Sequence, residues 1–250
     1  MDNELKKYFE RKVIVNYTDA DCGKVLKPSV LLNMLQDLAS DNAENLNFGY
    51  TATTVKQNLG WFLLKYKMEF IDYPTNLGEL FITTDIRGYH KYFTYRDFYL
   101  YGNDKLLGRM STTWTLVDLS NKKMVLPANV LDTPFLIPFE KRNDDLVYEK
   151  IKPISDLTSE KVFSVRFDDL DVNGHVNNAI YIVWAFEALD YDFRISKKPK
   201  TIDMVFKKEI KYGTKVLSQV SLDNNISDHV LRNAETGEEF CSVLCVWCDR

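Results

Sequence analysis

Val15-Asn16-Tyr17-Thr18-Asp19-Ala20-Asp21 returns 150 positions later as Val165-Arg166-Phe167-Asp168-Asp169-Leu170-Asp171, with the valine, the aromatic and two of the acids kept. The register then holds without a gap: Leu26 falls on Val176, Val30 on Ile180, Leu32 on Ile182 and Asp37 on Glu187. Similarity of a chain to itself at a fixed offset marks a duplicated structural unit. In each copy a short strand leads through a polar loop into a long apolar segment, residues 28 to about 44 in the first and 178 to about 191 in the second. Pro28 suits a first helical turn, where its missing N–H has no partner to lose. Asn177 and Asn178 at the matching place offer side chains that cap free N–H groups. Both helices are therefore expected to start at the same point of the repeat.

Residues 179–189 are apolar almost all round, broken mainly by Glu187, so this helix is expected to be buried on most of its surface. Strand-like runs that could wrap such a helix follow in each copy: 61–71, 79–87, 92–101 and 111–117, then 202–211, 215–222, 229–233 and 239–247. Within them Lys65-Tyr66-Lys67-Met68-Glu69-Phe70 lies over Val205-Phe206-Lys207-Lys208-Glu209-Ile210 at a shorter offset of 140. A strand, one long helix and an antiparallel meander, seen twice, is an α+β protein of two fused hot-dog domains, each a sheet wrapped around a central helix. The expected division is residues 1–139 for the first domain, a charged linker at 140–161 without periodicity, and 162–250 for the second.

Composition excludes several classes. At 250 residues with a net charge of −4, the chain can bury a globular core and carries no bulk attraction for nucleic acid. Residues 1–7 are polar and include acids, unlike a secretory or transit leader, and no run is long enough to span a membrane. A cytoplasmic protein is expected. Cys241 and Cys245 share one face of a strand-like run and Cys248 the other, which is poor geometry for zinc and no matching ligand pair lies elsewhere. Buried free thiols are expected, with no metal and no cofactor.

The chemistry concentrates in Asp171-Val172-Asn173-Gly174-His175-Val176-Asn177-Asn178, where the first copy has only Asp21, Gly23 and Val25 at the positions of the acid, the amide and the imidazole. One equipped and one stripped copy is what an asymmetric active site would look like. Hydrolysis of a thioester needs an oriented or deprotonated water and fixed donors for the oxyanion. His175 can orient a water or carry a proton, Asn173 can donate, and N–H groups at the helix start beyond Asn177 add a positive dipole end. Asp, Asn and Gly are also ordinary loop residues, and a lone His is often structural.

This segment, followed by Tyr181, Trp184 and Glu187, resembles the motif of plant and bacterial acyl-ACP thioesterases, and the resemblance covers nearly the whole chain, including Trp61 and Asp85-Ile86-Arg87. It implies Asp171, Asn173 and His175 as catalytic residues, and Glu209, in Phe206-Lys207-Lys208-Glu209-Ile210, as the acid that activates water. Ile210 stands where that family usually has Cys, so water attack is favoured, with an acyl-enzyme on Asp171 as a variant. Glu209 could equally lie with Lys207 and Lys211 along one solvated strand face. Asn177, Asn178, Trp61 and Lys207 are expected to contact substrate, and Leu31, Leu35, Trp61, Phe62 and Met68 to line an acyl channel or simply fill the core. The implied partner is an acyl carrier protein bearing a fatty acyl chain in fatty acid biosynthesis, met by Lys197, Lys198, Lys200, Lys207, Lys208 and Lys211. An acyl-CoA thioesterase and a non-catalytic acyl sensor are the rivals. A hydratase of this fold would carry a His ahead of Gly-x-Pro, a pattern missing from this sequence. Monomer or homodimer stays open, because a fused pair needs no second chain to complete it.

Overall fold

In the first copy β1 (Tyr8–Val15) passes through a 3-10 turn at Tyr17–Asp19 into α1 (Pro28–Asn45). Then come β2 (Leu59–Phe70), β3 (Gly78–His90), β4 (Phe93–Gly102), β5 (Lys105–Asp118), a short β6 (Lys123–Val125) and α2 (Pro127–Val130). The second copy has β7 (Ser159–Ser164), a turn at Phe167–Asp169, α3 (Asn178–Glu187), α4 (Tyr191–Ser196), β8 (Lys197–Phe206), β9 (Lys215–Asp223), β10 (Ile226–Asn233) and β11 (Glu239–Asp249). This is a computed structural model, and it describes residues 8–74, 78–131, 133–134 and 136–250. Residues 1–7, whose polarity bears on targeting, lie outside the described residues.

The repeat is visible bond by bond. The carboxylate of Asp19 accepts the N–H of Asn16 at 2.7 Å, and that of Asp169 accepts the N–H of Arg166 at 2.8 Å. An acid three residues into a turn satisfies a donor that the turn leaves free. Lys27 N–H then reaches Asp19 O at 2.9 Å and Asn177 N–H reaches Asp169 O at 2.8 Å, so both helices begin at the same place. Pro28 opens α1, and Asn177 caps α3 by accepting from Ala179 N–H.

The second helix is shorter than its apolar run suggests. It stops at Glu187, and the Asp190 side chain, accepting the N–H of Asp192 at 2.8 Å, starts a separate short helix, α4. The helices therefore differ in length, 18 residues for α1 against 10 for α3.

All strands belong to one antiparallel sheet in the order β1-β3-β4-β5-β2-β8-β11-β10-β9-β7, with β6 beside β5. Two hot-dog units are fused through β2 and β8, where Lys65 opposes Val205 and Met68 opposes Ile202. The sheet wraps α1 and α3, which lie side by side and share hydrogen bonds from Asn177 to Asn33 and from Asn178 to Gln36. A single core joins Leu31, Leu35 and Leu38 to Trp184, Ala185, Met68 and Met204.

On the outer face of the seam, Lys67 and Asp203 form an ion pair of 2.8 Å and are 2% and 1% exposed. The other Asp203 oxygen accepts the N–H of Glu149 at 3.0 Å. Burial still raises the Asp203 carboxyl above its ordinary range, opposed by Lys67. Glu149 belongs to the segment between the copies, which crosses this face: Asp145 meets Arg87 at 2.6 Å, and Tyr148 donates to Ser111 O at 3.1 Å.

Strand β8 ends at Phe206, so residues 207–211 form a loop rather than a solvated strand face. Val176 N–H donates to Ile210 O at 2.9 Å, and in the first copy Leu26 N–H donates to Pro74 O at 3.0 Å. Those bonds, and the strand ends at Phe70 and Phe206, match the copies here at an offset of 136 instead of 140. The first-copy counterpart of Glu209 is thus Tyr73, a buried residue whose hydroxyl donates to Leu26 O, and not Glu69. Cys241 and Cys245 are buried, and burial pushes both thiols up. Among the described residues no helix is long and apolar enough to cross a membrane.

Candidate active site

The loop ahead of α3 is shaped by its first acid. Asp171 Oδ1 accepts the N–H groups of Asn173 at 2.8 Å and His175 at 3.3 Å, while Asp171 N–H donates to His175 O at 2.7 Å. In the first copy Asp21 Oδ1 accepts from Gly23 at 2.9 Å and Val25 at 3.1 Å, and Asp21 N–H donates to Val25 O at 2.8 Å. The acid therefore builds the same tight loop twice. What separates the copies is the side chains at the third and fifth positions of the loop, an amide and an imidazole in one, a glycine and a valine in the other. Gly174 allows the turn with a φ of +75°.

His175 pairs with Lys211 in an isolated antiparallel bridge, which lays the 207–211 loop alongside. His175 Nδ1 then lies 3.2 Å from Glu209 Oε1, with both side chains partly open to solvent. The Glu209 loop is fixed from the opposite side as well, since Tyr181 OH donates to Lys208 O at 3.2 Å and Phe240 O accepts the N–H groups of Lys207 and Lys208. Burial raises the Tyr181 phenol, so it stays a donor at any ordinary pH. With Nδ1 engaged by the carboxylate, Nε2 is the ring nitrogen left for water or substrate.

These groups stand in the wall of a cavity of about 1070 Å³. Asp171, Asn173, His175, Asn178, Lys207 and Glu209 line it. Its lining also includes Tyr181, Ala39 and Ala43, in the part of α1 that α3 does not match, and Trp61, Trp114 and Arg96 of the first copy. Arg96 donates to Asn42 Oδ1 at 2.7 Å and Thr84 Oγ1 at 3.0 Å, and burial lowers its pKa to about 10.

Several expectations change against this geometry. Asn177 does not line the cavity: its Oδ1 is spent on Ala179 N–H and its Nδ2 on Asn33. The helix start is correspondingly less open to an oxyanion than its position implies, because Ile180 N–H is also taken, by Asn177 O. Trp61 and Phe62 line the cavity, whereas Leu31, Leu35 and Met68 are core. Lys197 and Lys198 sit at the far end of β8, paired with Asp249 and Asp72. Lys207, Lys208 and Lys211 line the cavity together with Lys122, which no local sequence pattern marks. Phe48, Tyr50, Arg96 and Trp114 were likewise not legible, and the signal that could have found them is the greater length of the first helix.

A carboxylate beside an imidazole in the wall of a large recess can orient the ring, take a proton from water and hold an apolar substrate. The sequence matches two family models, the acyl-ACP thioesterase N-terminal domain over residues 6–132 and the acyl-ACP thioesterase C-terminal domain over residues 152–249. A relative in Coriandrum sativum, the chloroplastic oleoyl-acyl carrier protein thioesterase, is 24% identical over 85% of this chain and 62% of its own length. The chain thus spans about three fifths of the length of the plant relatives it matches first. In fold it is similar to a putative oleoyl thioesterase from Lactobacillus plantarum (TM-score 0.85, 22% identity, 97% of this chain and 96% of that one). It is equally similar to an acyl-ACP thioesterase from Bacteroides thetaiotaomicron (TM-score 0.84, 20% identity, 97% and 98%).

Proposed function

Because the chain belongs to the acyl-ACP thioesterase family, whose members are thioester hydrolases, we propose that it releases fatty acids from acyl carrier protein by hydrolysing the thioester. The observation that carries this reading is the 3.2 Å approach of Glu209 to His175 in the wall of a recess of about 1070 Å³. Glu209 holds the imbalance of charge on the imidazole and fixes its orientation, and His175 Nε2 draws a proton from water as the water oxygen bonds to the carbonyl carbon. Asn173 donates to the oxyanion. The C–S bond then breaks and the imidazolium gives its proton to the departing thiolate, leaving the free fatty acid and the thiol. Asp171, with one oxygen already committed to two backbone N–H groups, holds the loop that sets Asn173 and His175.

Residues 1–139 supply the acyl-binding half in this proposal and 162–250 the catalytic half, joined by 140–161. The acyl chain lies along Ala39 and Ala43 toward Trp61, and the carrier protein meets Lys122, Lys207, Lys208 and Lys211 around the opening. We place the reaction in the cytoplasm.

The test is a rate panel over carrier-protein esters of different chain length, each paired with the CoA ester. Faster hydrolysis of carrier-protein esters supports the proposal, and equal or faster hydrolysis of CoA esters favours the acyl-CoA thioesterase instead. His175→Ala and Glu209→Gln should each remove most turnover while leaving the folded protein intact. Full activity in both variants refutes the site, and tight acyl binding without turnover in the unmodified protein points to a sensor.

A further inference from the structure

The duplication leaves a second recess at the place corresponding to the first. It has a volume of about 420 Å³ and lies between the Asp21 loop and α3, as the larger cavity lies between the Asp171 loop and α1. Its inner wall is apolar, built by Ile182, Val183, Phe186, Leu189 and Ile195. Around it stand four cations, Lys27, Lys161, Arg194 and Arg250, against two acids, Asp21 and Glu187. A local surplus of positive charge on a chain of net charge −4 marks a place that favours an anion.

The acids are already answered. Arg250 holds Asp21 through two bonds of 3.0 and 2.6 Å, and Arg194 holds Glu187. Arg250 also donates to Lys197 O and Arg194 O, so it acts as a fixed wall. With Asp21 bound in this way and no imidazole or amide on its loop, the recess lacks the acid, amide and imidazole set of the Asp171 loop but keeps its apolar wall. Lys161, exposed on β7, has no ion pair among the described residues.

We propose that this duplicate recess is a non-catalytic binding site for a carboxylate with a short apolar tail. The tail lies against Val183, Phe186 and Leu189, and the carboxylate faces Lys161. Less than half the volume of the larger cavity limits the tail to a shorter chain than the active site accepts. The site stands apart from the Glu209 site and does not depend on what that site hydrolyses.

The experiment titrates carboxyl-labelled octanoate into the full chain and counts the bound molecules by carbon NMR. Val183→Trp fills the recess from its half-buried edge and should remove one bound octanoate per chain without changing kcat. Should that variant fail to fold, Lys161→Glu replaces it, since an exposed charge reversal leaves packing untouched and should weaken the same octanoate at least fivefold. Neutral octanol should bind this site at least tenfold more weakly than octanoate. An unchanged count and affinity in the variant that folds, or octanol binding as well as octanoate, overturns the proposal. If the chain hydrolyses no thioester yet Val183→Trp still loses its octanoate, only the proposed activity fails.

Discussion

The pair His175 and Glu209 can be tested as a unit. Their side chains are 23% and 37% exposed at a separation of 3.2 Å, so water screens their direct attraction and the value of the contact lies mainly in fixing the ring. If Glu209 acts only through His175, removing either partner costs the same proton transfer, about 10²-fold to 10⁴-fold in rate. Taking about 10²-fold, or roughly 2.7 kcal/mol, for each single variant, independent roles would give a double variant about 10⁴-fold slow. The structure predicts instead that His175→Ala with Glu209→Gln is no slower than the slower single variant, a coupling of about 2.7 kcal/mol. The assay is kcat/KM on one carrier-protein ester for all four proteins, with thermal melting to show that each is folded. Additive losses would refute the reasoning and give Glu209 a direct role on water, apart from the imidazole.

Three other outcomes follow from the packing. His229 is fully buried against Phe186, with Nε2 2.8 Å from Ser227 Oγ, and burial lowers its pKa to about 3 from an ordinary 6.5. A depressed pKa contributes stability that is complete above the unfolded value and is lost as pH falls toward 3, so unfolding in urea should show this His withdrawing about 2 kcal/mol by pH 5. That part of the slope should vanish in His229→Phe. At the seam, Lys67→Met strands a buried carboxylate and should cost about 3–5 kcal/mol in urea midpoints, whereas Lys67→Met with Asp203→Leu should regain most of it. In the large cavity, Ala43→Trp should raise KM for long acyl chains more than for short ones, and an equal effect at all lengths would place the chain elsewhere.

How much could be read before the fold was known depends on the range of the interaction involved. The Asp19 and Asp169 turns, the capped helix starts and the Asp171 loop are held by bonds spanning a few residues, so residues 15–28 and 165–178 carry their own instructions. The break after Glu187 was hidden because apolar periodicity ran on through Leu189, while a single local cap, at Asp190, started a separate helix. The shorter offset of 140 paired Glu69 with Glu209 on residue likeness alone. The bonds from Leu26 and Val176 to the opposite loops correct it, and they come from positions distant in the chain.

The sequence by itself determined that there are two copies, where each helix begins and which copy carries an acid, an amide and an imidazole together, because each of these follows from side chains near one another along the backbone. Only the tertiary structure decided that β2 pairs with β8 to make one sheet, that the longer α1 opens a recess beside the second copy's loop, and that Glu209 turns toward His175. Those outcomes depend on contacts between segments more than thirty residues apart, whose geometry is set by how the two halves bury a common core and not by any local pattern of residues.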